Sequence, residues 1–208
     1  MSLIYVPSSA SATDDAWPDS GGLAAQWLGA RGFPDAVRAL FDAYEPFVAA
    51  RLVLGWVAPR GLARGPAVAR DLFVLAKLSD GALAVIAVAG PRDLRGPSVE
   101  DWLLAEPTPA RAERLQQLAE RLDVSLHDLR ALSQPLVQRA VAALIEAERL
   151  NAAHALMLAH ATPSATIDRD ERRTLVHALG GRNPDDGIVT VAARHGVQLH
   201  LGWVEGET

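Results

Sequence analysis

Asp71-Leu72-Phe73-Val74-Leu75-Ala76-Lys77-Leu78, then Ser79-Asp80-Gly81, then Ala82-Leu83-Ala84-Val85-Ile86-Ala87-Val88-Ala89-Gly90-Pro91: this stretch decides the fold. Two apolar runs flank an Asp-Gly pair, which is a strong hairpin signal between strand-like segments. The first run opens on an acid. The second has almost no polar alternation, as a strand buried on both faces does, so it is predicted to be central in its sheet. Asp71 and Lys77 stand at an even offset and fall on one face of a regular strand.

Upstream, Leu52 to Val57 reads as a further strand. Pro59 to Pro66 carries Gly61 and Gly65 as well and reads as a loop. Arg60 and Arg64 lie in it and Arg70 just beyond; they suit a solvated loop or one that contacts an anion. Before that strand, Phe33-Pro34-Asp35 opens a long helix, with Pro34 in the first turn and Asp35 at the positive end of the dipole. Val37, Leu40, Phe41 and Tyr44 recur at helical spacing and should face the core. Pro46 removes a backbone donor and kinks or ends that helix. Leu23 to Leu28 is a short helix candidate that stops at Gly29 or Gly32. Residues 1–20 are rich in Ser, Ala, Asp and Pro and form an N-terminal extension, with a short strand at Leu3 to Val6 and a loop or arm beyond.

Downstream, Pro91 to Pro97 is expected to be a loop. Ser98 is an N-cap candidate, with Asp101 in a capping-box-like place; Val99, Trp102 and Leu103 form the buried face of the short helix that follows. Thr108 and Pro109 start the next helix, whose apolar face is Leu115, Leu118 and Leu122. Ser125 caps a helical turn. Ser133 opens a second long helix to about Asn151, in which Ala140, Ala142, Ala143 and Ala147 permit close approach to a sheet. Ala153 to Ala161 is a buried strand, Asp168 to Leu179 a helix ended by Gly180-Gly181, and Val197 to Val204 a final strand. Ile188 to Arg194 is ambiguous between strand and helix.

The chain has 208 residues, half of them apolar, which suits one domain over residues 21–208 with a sizeable core. The net charge of -5 argues against strong non-specific nucleic-acid binding, which needs a basic face. Clustered Arg residues leave room for a local basic patch. Without Cys there is no disulfide, thiolate metal site or Cys nucleophile. No segment reads as a signal peptide and no apolar run is long enough to span a bilayer, so a cytoplasmic protein is expected. Three consecutive strands argue against a doubly wound nucleotide fold, and no Gly-rich phosphate loop is present.

Helix, three strands, helix, strand, with Asp71 at the head of the middle strand, is an order that resembles the PD-(D/E)XK nuclease core. The resemblance implies a restriction-endonuclease-like three-layer α/β fold, with a mixed central sheet flanked by helices. Such nucleases place one acid on the second strand and an acid-x-Lys set on the third. Two carboxylates hold Mg²⁺, and the Lys steadies the attacking water or the phosphate. A closer resemblance, over about Phe33 to His160, is to an uncharacterised bacterial family placed near these nucleases. It rests on Asp71-Leu72-Phe73, on Gly96-Pro97-Ser98-Val99-Glu100-Asp101-Trp102-Leu103, on Arg114-Leu115, and on Gln138-Arg139 through Ile145-Glu146-Ala147-Glu148-Arg149. The Gly-Pro-Ser-Val-x-x-Trp-Leu segment is the most specific part. Three places depart from the pattern. The acid of acid-x-Lys falls on Ala89, its Lys on Pro91, and the His before Arg139 is Gln138.

These departures point to a catalytically degenerate relative, a pseudoenzyme that binds or acts within an assembly. The relic site candidates are Asp71, Asp93, Lys77 and Arg139, with Asp71 and Asp93 as candidate metal ligands. Arg139 has two credible roles, anchoring a buried carboxylate such as Asp71 or binding a phosphate. The alternatives are an active Mg²⁺-dependent nuclease with a site rearranged from Asp71, Asp93, Glu45 and Lys77, or a structural or protein-interaction module such as a homodimer. Nucleic acid is a partner the fold would admit and the net charge does not favour. His154 and His160 share a strand face but stand too far apart for one metal without a third element. With His195 and His200 they read as core or surface histidines. Trp17, Trp27 and Trp203 are candidates for a packing or dimer surface.

Overall fold

The computed structural model describes residues 23, 26, 27, 32–59, 70–161, 168–183, 185 and 187–205. The expectations for residues 1–20, for the loop with Arg60 and Arg64, and for Trp17 lie outside these residues. Six strands form one mixed sheet: β1 (Arg51–Pro59), β2 (Arg70–Lys77), β3 (Leu83–Ala89), β4 (His154–Ala161), β5 (Ile188–Arg194) and β6 (Val197–Glu205). Their order across the sheet is β1-β2-β3-β4-β6-β5. The pairs β1–β2, β2–β3 and β5–β6 are antiparallel, whereas β3–β4 and β4–β6 are parallel.

The hairpin between β2 and β3 forms because its turn residues suit it. The Leu78 amide donates to the Ala82 carbonyl, and the Gly81 amide to the Leu78 carbonyl. The Asp80 carboxylate accepts from the Ala82 amide at 2.9 Å, the local bond by which Asp competes for turns. Gly81 sits at φ 91°, where a side chain would be strained. From Ala84 to Ala89 every residue of β3 is buried, because β2 and β4 flank it and helices cover both faces.

A parallel β3–β4 pair needs a crossover, and five helices supply it: α2 (Pro91–Leu94), α3 (Val99–Ala105), α4 (Pro109–Leu122), α5 (Leu126–Leu129) and α6 (Gln134–Arg149). Side-chain oxygens of Ser98, Thr108 and Ser125 cap α3, α4 and α5 by accepting amide bonds from Asp101, Arg111 and Asp128. Helix α6 lies over β3 and β4. Its Ala140, Ala142, Ala143 and Ala147 are buried together with Leu136, Val137, Val141 and Leu144. Small residues bring the helix close, and the large ones fill the gap. Each fully buried Val or Leu contributes roughly 1.5–3 kcal/mol.

One face of the sheet, with Phe73, Val85, Ala87, Ala89, Met157 and Leu201, packs on α3, α4, α6 and α7 (Arg169–Ala178). The other face, with Leu72, Val74, Ile86, Leu156 and Leu158, packs on Trp27, Phe33 and α1 (Asp35–Asp42). This is an α/β architecture with a six-stranded mixed sheet between helices.

Two expectations are corrected and two open ones are resolved. The first helix is short: it covers Asp35–Asp42 with Ala43 as its C-cap, and a 3-10 turn over Glu45–Phe47 follows, with Pro46 inside it. The supposed loop after β3 begins with α2, because the Asp93 carboxylate accepts from the Gly90 amide and caps the turn. The ambiguous segment is strand β5, so the chain ends in a hairpin with β6. Of the two roles open to Trp27 and Trp203, packing is the one seen: both are buried in the core.

Candidate functional site

Asp71 heads the site predicted from sequence. It is fully buried on β2, on the face that carries Phe73 and looks toward α6. One step past the Leu72↔Val88 pair of the β2–β3 register, Asp71 stands opposite Ala89, the position where the resemblance leads one to expect a second acid. Arg139, from α6, fills that neighbourhood. Its Nη1 lies 2.9 Å from Asp71 Oδ1, and the two side chains are 4% and 0% exposed. Nη1 also donates to the Val88 carbonyl at 3.4 Å. Of the two roles open to Arg139, the ion pair is the one formed.

Burying either charge alone is costly, and pairing offsets much of that cost. Arg139 is therefore tied to Asp71 as Asp71 is to Arg139. Mg²⁺ does not fit here. It demands several oxygen ligands in octahedral array, and Ala89 offers no side-chain oxygen. A divalent ion would also stand against a guanidinium already paired with Asp71.

Of the remaining sequence candidates, Lys77 and Glu45 do not join Asp71. Lys77 is exposed at the opposite end of β2, about 20 Å away at roughly 3.3 Å per strand residue. Glu45 is exposed in the 3-10 turn, on the layer across the sheet from α6. Asp93 is half-buried and occupied with the Gly90 amide. Among the described residues no group of three or more His, Cys, Asp or Glu side chains could hold a metal ion.

A second polar cluster was not foreseen. His154 opens β4, and its Nδ1 lies 3.0 Å from Nε2 of His200 on β6. The Nδ1 of His200 lies 3.1 Å from the Tyr44 hydroxyl and 3.2 Å from Thr190 Oγ1 on β5. Tyr44 and Thr190 are also hydrogen-bonded to each other. Phe47 packs edge-on against both imidazoles. His200 is buried, and burial first, then the nearby His154, pushes its pKa down to about 3. Burial also lowers His154, which Asp80 partly opposes. Burial raises Tyr44, and its bond to Thr190 acts the other way.

His154 does not work with His160, its neighbour by period. The His160 Nδ1 accepts from Trp27 Nε1 at 3.1 Å, and the ring is buried and held neutral by that burial. His195 is exposed in the β5–β6 turn.

Residues 20–208 match the family described as a domain of unknown function, DUF6946. The chain belongs to that family. No curated protein matches it, and neither does any solved structure.

Proposed function

We propose that this member of DUF6946 is a catalytically degenerate domain of PD-(D/E)XK nuclease-like architecture, acting by binding or within an assembly rather than by cleaving phosphodiesters. The order of the core supports it: α1, an antiparallel β1–β2–β3 meander, α6 as crossover, then β4 parallel to β3. Asp71 heads the middle strand, where the resemblance puts the first acid.

The observation that carries the proposal is the buried Arg139–Asp71 pair beside Ala89. In a working site two carboxylates share a metal ion, and each needs the cation to be stable away from water. Here one carboxylate is gone and a guanidinium from the crossover helix supplies the positive charge. The ion pair balances the remaining acid as a structural element.

An assay with Mg²⁺ or Mn²⁺ on single- and double-stranded DNA and RNA tests it. The expected result is no metal-dependent cleavage by the full chain. Cleavage that needs the metal and is abolished in Asp71→Ala would overturn the proposal.

A further inference from the structure

The His154–His200 cluster lies on the sheet face opposite the Arg139–Asp71 pair and belongs to a different layer. Tyr44, just after α1, and Phe47, in the 3-10 turn, reach the cluster from the helical layer. His154 comes from β4, His200 from β6 and Thr190 from β5. Asp80, on the β2–β3 turn, is the charge that acts on His154, and His154 is the charge that acts on His200. Glu45, in the 3-10 turn, is exposed.

The two imidazoles meet edge to edge, with ring centroids 5.3 Å apart and planes 28° from parallel. A nitrogen–nitrogen contact of 3.0 Å holds one proton. A neutral imidazole has one N–H and a charged one has two. The pair has four ring nitrogens, two of which face each other across that single proton. It therefore carries two protons when neutral and three at most. A fourth would set two N–H groups head to head.

We propose that the His154–His200 pair is a one-proton acid sensor that latches the Tyr44–Phe47 segment onto the C-terminal hairpin. The first added proton leaves the contact intact. Its charge rests at the His154 end, which is half-exposed and near Asp80. The second can enter only if the contact opens. His154 can swing toward solvent, but His200 is 1% exposed and lies under Phe47 and Tyr44. Hydrating a charged His200 lifts that segment off β5 and β6.

The test is a pH titration of the full chain, with the histidine ring resonances assigned by NMR and amide hydrogen exchange read at Phe47, Val48 and Ala50. His154 is expected to titrate reversibly below pH 6.5 while His200 stays neutral and those amides stay protected. At lower pH His200 is expected to take its proton together with loss of that protection. Independent titration of both rings near pH 6.5, or His200 protonating with protection retained, would overturn the proposal. In His200→Gln the acid-dependent loss of protection is expected to vanish, and its persistence would also overturn it. The wild-type titration decides the matter if that variant does not fold.

Discussion

Asp71 and Arg139 are each other's reason for being buried. Asp71→Asn leaves a guanidinium 4% exposed without its carboxylate, and Arg139→Met leaves a carboxylate in the same position. Either change is expected to cost about 3–5 kcal/mol, the range for breaking a buried pair from one side. Asp71→Asn with Arg139→Met in one chain is expected to cost far less than the sum, because both charges leave together. Urea unfolding of the four proteins checks this, and simple additivity would contradict it. His200 gives a pH prediction. Its folded pKa, about 3, lies below its ordinary 6.5, so between these values the unfolded chain binds a proton that the folded chain refuses. The stability it contributes is fully present above pH 6.5 and is lost as pH falls toward 3. Urea midpoints measured across that range should fall with pH, and the slope should flatten in His200→Gln. Asp71 was legible in the sequence because it heads an apolar strand, and Arg139 because it falls in a stretch that the family resemblance singles out. The His154–His200 contact was not. It depends on the parallel register of β4 and β6, in which Leu156 pairs with His200, and no short-range signal sets that register.

At the scale of elements, the caps and the hairpin were readable because each rests on local chemistry: Ser98, Thr108 and Ser125 accept the amide bonds expected of them. The misjudged elements depend on neighbours. Helix α2 needs Asp93 to reach back to Gly90, and β5 needs β6 to pair with. Ser133 begins α6 without capping it. Its Oγ donates to the Leu94 carbonyl at 2.5 Å, and its amide donates to Glu171 of α7 at 3.0 Å. That tie joins α2, α6 and α7, so Glu171→Ala is expected to cost about 1–3 kcal/mol by orphaning the amide of the buried Ser133. Thermal or chemical unfolding measures it, and an unchanged midpoint would show that the tie carries no stability. Gly81→Ala is expected to cost about 1–2 kcal/mol, since φ 91° is strained for a residue with a Cβ. Nothing lies within 4 Å of the added carbon, so the loss would report backbone conformation rather than collision.

For the whole molecule, the sheet separates two chemistries. On the α6 side a strand acid is neutralised by a guanidinium; on the α1 side a pair of neutral imidazoles joins the helical layer to the last two strands. The central position of β3 was legible from its unbroken apolar run. The strand order beyond β4 was not, since the insertion of β6 between β4 and β5 follows from long-range pairing. In the proposed reading Arg139 holds the place that a catalytic cation would take. A Mn²⁺ titration of the full wild-type chain, followed by paramagnetic broadening of backbone amide signals, tests this most directly. No selective broadening at Asp71, Val88 and Ala89 is expected up to millimolar metal. Saturable broadening centred on those three amides would contradict it.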